Sequence, residues 1–156
     1  MRKITIILLL SLLLLTGCRR ETQTQCLPSF TCNGVTISMN AEAGPVLYHL
    51  GRPQDFSFTL GKDQTLAGCT YRHPGFHITT YPMGDTEYIS GVYFRDSSVA
   101  TPEGIRIGDS REAVERAYGP GSIQGNTCIQ TLGNTRRTIL LTAGTVSAVE
   151  YEVVLE

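Results

Sequence analysis

The sequence predicts an α+β fold, a tandem repeat of a unit made of a strand, a helix and a three-stranded antiparallel meander. Three observations carry that expectation. Landmarks recur in the same order in the two halves: Gly34-Val35-Thr36-Ile37 is echoed by Gly104-Ile105-Arg106-Ile107, and Ile89-Ser90-Gly91-Val92-Tyr93-Phe94 by Val146-Ser147-Ala148-Val149-Glu150-Tyr151. Each half also has a helix-like segment that stops at glycine and proline, Tyr48-His49-Leu50-Gly51-Arg52-Pro53 in one and Ala117-Tyr118-Gly119-Pro120 in the other. Finally, alternating apolar residues separated by turn residues follow each stop.

The chain opens with two cations, Arg2 and Lys3, and then runs apolar from Ile4 to Leu15, broken only by Thr5 and Ser11. A bilayer-spanning helix needs about 20 apolar residues, so this run is too short to span and has the length of a signal-peptide core. Leu15-Thr16-Gly17-Cys18 resembles the bacterial lipobox, in which a peptidase cuts before a cysteine that carries diacylglycerol. The resemblance implies removal of residues 1–17, lipidation at Cys18 and a cell-membrane location on the extracytoplasmic face. The alternative reading is a non-lipidated signal or an uncleaved anchor. Two or three acyl chains, at about 0.8 kcal/mol per buried CH₂, hold a small domain to a membrane where one chain does not. Removal of 1–17 takes Arg2 and Lys3 from the 13 Lys and Arg, which leaves 11 cations against 14 acids and a net charge of about −3. Nothing strongly basic remains, so a nucleic-acid partner is excluded on electrostatic grounds.

Residues 18–29 are polar, with Glu21, Thr22, Gln23 and a lone Pro28, and read as a flexible tether. Apolar periodicity then runs to the C-terminus, dividing into a first unit at 30–98 and a second at 99–156. In the first, Asn40 is a candidate helix cap, and Pro45 restricts the firm helix to 45–50 because a proline deep inside clashes with the carbonyl four residues back. Tyr71-Arg72-His73-Pro74-Gly75-Phe76 places Pro-Gly at the centre of a type II turn and so predicts a hairpin, with 88–94 as a third strand. In the second unit Asp109 is the expected cap, with Glu112 completing a capping box, and Val114, Ala117 and Tyr118 form the buried face. Strands are expected over 127–132, 138–142 and 145–154, with turns at Gly133-Asn134 and Ala143-Gly144.

The segments "GVTISM…LG", "GCTY", "GFHITTYP", "YISGVYFRD" and "TPEGIRIGDSREAVERAYG" resemble a group of uncharacterised lipoproteins from Gram-positive, clostridia-like bacteria, most clearly over 30–120. More distantly, a helix ending in Tyr-Gly-Pro before a meander is similar to the fold of β-lactamase inhibitor proteins and of the small lipoprotein of the outer-membrane β-barrel assembly machine. Those folds have two helices per unit where this sequence shows one. None of the inhibitor's binding residues can be matched here, so the resemblance implies fold alone.

No catalytic residue, metal site or cofactor is expected. Cys69, His73 and His77 have a ligand-like spacing, but on a hairpin turning at Pro74-Gly75 Cys69 and His73 share one face while His77 lies on the other, opposite Arg72. His49 reads as a helix-end residue favoured by the dipole. No nucleophile elbow, P-loop or His-Glu zinc motif is present. Cys26, Cys32, Cys69 and Cys128 allow three disulfide connectivities, with buried thiols as the alternative for Cys69 and Cys128. Tyr71, Tyr81, Tyr88 and Tyr93 gather on the first sheet, and Arg136-Arg137 reads as a solvated pair. The expectation is a lipid-tethered, non-catalytic binding module for an unidentified protein or envelope partner, or alternatively a structural component of envelope assembly or maintenance.

Overall fold

The computed structural model describes residues 29–154. Cys18 and Cys26 lie outside the described residues. The chain orders as β1 (Ser29–Cys32), β2 (Val35–Ser38), α1 (Ala43–Leu50), β3 (Asp55–Leu60), β4 (Leu66–His73), β5 (Phe76–Met83), β6 (Thr86–Phe94), α2 (Arg111–Tyr118), β7 (Ile123–Gln124), β8 (Thr127–Leu132), β9 (Thr135–Thr142) and β10 (Thr145–Val153). β3 to β10 form one eight-stranded antiparallel sheet in the order β3-β4-β5-β6-β10-β9-β8-β7, closed across the middle by β6 and β10, with Tyr151 opposite Val92.

The expected α+β tandem of strand, helix and three-stranded meander is corrected by this arrangement. The fold is mostly β, with 52% of the structure in strands against 13% in two helices. Four strands follow each helix, not three. The strand expected at 104–107 is replaced by tight turns: Thr101 takes the Ile105 N–H on its hydroxyl at 3.1 Å, and the Asp109 carboxylate takes the Arg106 N–H at 2.7 Å. Its counterpart, β2, pairs with β1 in a separate hairpin. Asn33 and Gly34, both at positive φ (50° and 78°), make that two-residue turn.

One face of the sheet is covered by the helices and the β1–β2 hairpin. Phe30 inserts between Phe76 and Phe94 at centroid distances of 5.1 and 4.9 Å, beside Ile37 and Ile78, all essentially buried. The cluster continues through Val92, Tyr151, Val149 and Ile139 to Val114 of α2, so the two halves share one core. Full burial of such a side chain contributes about 1.5–3 kcal/mol. The other face is polar. There Tyr93 donates to Glu152 at 3.0 Å and Arg136 bridges Glu152 at 3.1 Å. Gly91 leaves room for Tyr93 to cross it, since a Cβ at that position would lie 2.8 Å from the Tyr93 ring.

Both helix starts differ from expectation. α2 is capped by Ser110, whose hydroxyl accepts from the Ala113 N–H at 3.3 Å. Asp109 is engaged in the preceding turn, and Glu112 is one residue too early to complete a box. α1 begins at Ala43, so Pro45 falls in the first turn, where its missing N–H has no helical partner to lose. Asn40 sits at φ 61° and accepts from the Tyr81 hydroxyl at 3.0 Å, and makes no cap.

Candidate functional site

Pro74-Gly75, with Gly75 at φ 85°, sets the β4–β5 register read from the sequence: His73 opposite Phe76, Arg72 opposite His77, Tyr71 opposite Ile78. Cys69, Tyr71 and His73 therefore share the inner face and His77 points outward. His73 is buried, its ring stacked on Phe76 at 5.5 Å, and its Nε2 has no hydrogen-bond partner. Burial lowers its pKa and favours the neutral imidazole.

The inner face near α1 carries a polar cluster centred on Glu87. Its carboxylate accepts from the Thr80 hydroxyl at 2.8 Å, the Tyr71 phenol at 3.1 Å and the Cys69 thiol at 3.5 Å. A shallow cleft of about 320 Å³ lies between this cluster and the first turn of α1, lined by Glu42, Pro45, Leu47, Tyr71, Asp85 and Glu87. Burial first, and then Glu87, through its charge at Cys69 and its hydrogen bond at Tyr71, push the thiol and the phenol up. Both groups act as donors to Glu87, and the raised thiol pKa lowers the thiolate fraction at Cys69. His73 lies four residues along the strand, about 13 Å away at the strand rise.

Tyr71 leads outward to the sheet edge. Phe56 of β3 packs on it at 5.1 Å, with Phe58 a further 6.4 Å on. Among the described residues β3 is an edge strand with β4 as its one neighbour, and Phe56, Phe58 and Leu60 are 48%, 61% and 51% exposed, with Leu66 of β4 at 39% beside them. Three large apolar side chains on one face of an unpaired edge form an exposed patch of the kind that marks interaction surfaces. The Phe56 N–H is taken by the Asp55 carboxylate at 2.8 Å, and the Gly61 N–H by Thr65 O at 2.8 Å. Antiparallel alternation then turns the backbone groups of residues 56, 58 and 60 away from β4.

In the second half Arg137 is buried on the inner face. Its guanidinium lies 4.3 Å from the Tyr118 ring and 5.9 Å from Tyr151, pairs with Glu103 at 2.6 Å and donates to Gln130. Tyr118 donates to Glu103 at 2.9 Å and its hydroxyl lies 2.8 Å from that of Thr101. This network pins the 101–105 loop to the sheet. Burial pushes the Glu103 carboxyl up, but Arg137 and the Tyr118 hydroxyl outweigh it and hold the group below the usual carboxylate range.

The four tyrosines do not form one surface. Tyr71 is on the inner face, Tyr81 and Tyr88 stack at 5.8 Å, and Tyr93 is hydrogen-bonded across the outer face with its pKa pushed up to about 12 by burial and then by Glu152. Arg136 and Arg137 part company: the first faces solvent, the second is buried. Among the described residues Cys32, Cys69 and Cys128 form no disulfide with one another. Cys69 on β4 and Cys128 on β8 lie five strand spacings apart, about 24 Å, which excludes a bridge between them. His49 closes α1 in its last turn. The exposed β3 edge is the feature that sequence reasoning missed, although Phe-Ser-Phe-Thr-Leu carries the period-2 alternation that signals a strand.

No family model and no curated protein matches the chain. Among solved structures, an extracellular protein containing an SCP domain from Bacillus anthracis str. Ames is similar over 74% of this chain, at 9% identity and a TM-score of 0.43. The chain spans 44% of that protein's length. At that score the likeness assigns neither family nor function. Among the described residues no helix is long and apolar enough to cross a membrane, and no group of three His, Cys, Asp or Glu could hold a metal ion.

Proposed function

We propose that the chain is a membrane-anchored extracytoplasmic lipoprotein whose folded domain is a non-catalytic interaction module. The observation that carries the reading is β3, an edge strand with Phe56, Phe58 and Leu60 facing solvent. Apolar side chains left on an edge strand invite aggregation unless a partner covers them, which supports a binding role for β3. A non-catalytic role is supported by the thiols at Cys69 and Cys128, which are buried with raised pKa. The tether is supported by the Leu15-Thr16-Gly17-Cys18 motif behind its apolar core.

Two variants test the two parts. An alkyne fatty acid fed to the producing cells labels the wild-type chain and not Cys18→Ala. Affinity capture from membranes retains a stoichiometric partner with wild type and loses it with Phe56→Ser/Phe58→Ser. A mature chain that begins elsewhere, or washes into buffer unacylated, overturns the anchor. Equal capture by both chains overturns the interaction role.

A further inference from the structure

We propose that His73 is an acid-sensitive latch: a proton taken up by its ring releases the β1–β2 hairpin from the sheet and uncovers Phe76, Phe94 and Ile78. The inference goes beyond the interaction-module reading and uses neither the anchor nor β3. Its basis is a buried ring with nothing to receive a second N–H. His73 is only 5% exposed, lies nearly parallel to Phe76 at 16° and 5.5 Å, and leaves Nε2 without a hydrogen-bond partner. The N–H bonds of an imidazolium lie in the ring plane, and a stacked phenyl ring sits above that plane, where it supplies no acceptor. The charged form is then both desolvated and unbonded, a cost that the neutral ring avoids.

The charged groups on the surrounding elements do not offset that cost. Strand alternation turns Asp55 of β3, Arg72 of β4 and His77 of β5 to the opposite face of the sheet, where Asp55 and Arg72 pair at 2.8 Å. Tyr48 and His49 of α1, Arg52 after it, and Arg95 and Asp96 after β6 are exposed, and the Asp96 carboxylate takes the Ser98 N–H at 2.8 Å. β1 and β2 carry Cys32 as their one ionisable side chain. On the inner face Glu87 is engaged by Thr80, Tyr71 and Cys69, and Arg137 lies four strand spacings across, about 19 Å. Burial alone lowers the His73 pKa, with no charged neighbour contributing.

The hairpin is the part free to yield. His73 is fixed in β4 by ladders to β3 on one side and β5 on the other. Among the described residues β1 and β2 share no ladder with the eight-stranded sheet. Buried side chains hold them, Phe30 and Ile37 above all, and Phe30 packs edge-on against Phe76, the ring on which His73 stacks. Lifting Phe30 away lets water reach the imidazolium without breaking a strand ladder of the large sheet. The sign follows from the lowered pKa. The contribution of the neutral ring is complete above the ordinary histidine value of about 6.5 and is lost as pH falls below it toward the folded value, because the open state binds the proton more readily. Each pH unit in that window raises the open population by up to about tenfold.

The test follows hydrogen–deuterium exchange of the full chain from about pH 7 to about pH 5, corrected for the intrinsic rate, in wild type and His73→Leu. The leucine keeps an apolar side chain at the site and leaves His49, His77 and every carboxylate in place, so it isolates the one proton. The expected result is that protection of the β1–β2 ladder falls in wild type by up to about tenfold per pH unit below about 6.5, while the β6–β10 amides keep theirs, and that the hairpin of His73→Leu shows no such fall. A fall of the same size in His73→Leu, or none in wild type, overturns the latch. Equal loss at the hairpin and at β6–β10 overturns local release in favour of global unfolding. Imidazole NMR of wild type gives a second reading that needs no variant: the His73 ring should titrate below about 6.5 together with the Phe30 resonances. Titration at or above that value, or without a response at Phe30, overturns the proposal.

Discussion

Arg137 shows how one residue can be legible in type and illegible in role. Beside Arg136 it reads as half of a solvated pair, yet strand alternation obliges one of two neighbours to face inward, and β9 points Arg137 at Tyr118, Tyr151 and Glu103. A buried cation is tolerable only with its partners. Glu103→Ala should therefore cost about 3 kcal/mol in denaturant unfolding, and Glu103→Ala/Arg137→Met should cost less than the two single changes summed, because the double change leaves no charge behind. Additive losses would show that the pair is not coupled. The sign of the pH dependence follows from the lowered Glu103 pKa. Its contribution is complete above the ordinary carboxylate pKa of about 4.3 and disappears as pH falls through the depressed folded value. The gap in unfolding free energy between wild type and Glu103→Gln should thus narrow below about pH 4.

At the scale of elements, the strongest local signals located both helices and missed their first residues. Asp109 and Ser110 are both good caps, and the sequence offers no means of choosing until the 106–109 turn engages the aspartate. Ser110→Ala should cost about 1 kcal/mol and lower Tm by about 4 °C; an unchanged Tm would mean that the Ala113 N–H is satisfied without the hydroxyl. Six strands, β4 to β6 and β8 to β10, were readable because alternation marks each and the turns at Pro74-Gly75, Gly133-Asn134 and Ala143-Gly144 punctuate them. β3 escaped notice because it is exposed on both faces, so its apolar residues match no core. β7 is too short for periodicity to register.

The whole molecule was the least legible level. Nothing local in Val92 or Tyr151 announces that β6 lies against β10, yet that junction turns two meanders into one sheet with a shared core. The α+β expectation failed for a related reason: helix signals are concentrated in caps and stops, while the strands that outweigh them are spread along weakly marked segments. At this scale the account makes one demand, that the outward backbone of β3 is covered when the full chain sits in its membrane. Hydrogen–deuterium exchange at the Phe58 and Leu60 amides measures that directly. The expected result is slow exchange in membrane-bound wild type and fast exchange in Phe58→Lys under the same conditions. Fast exchange at both amides in both chains would contradict the account.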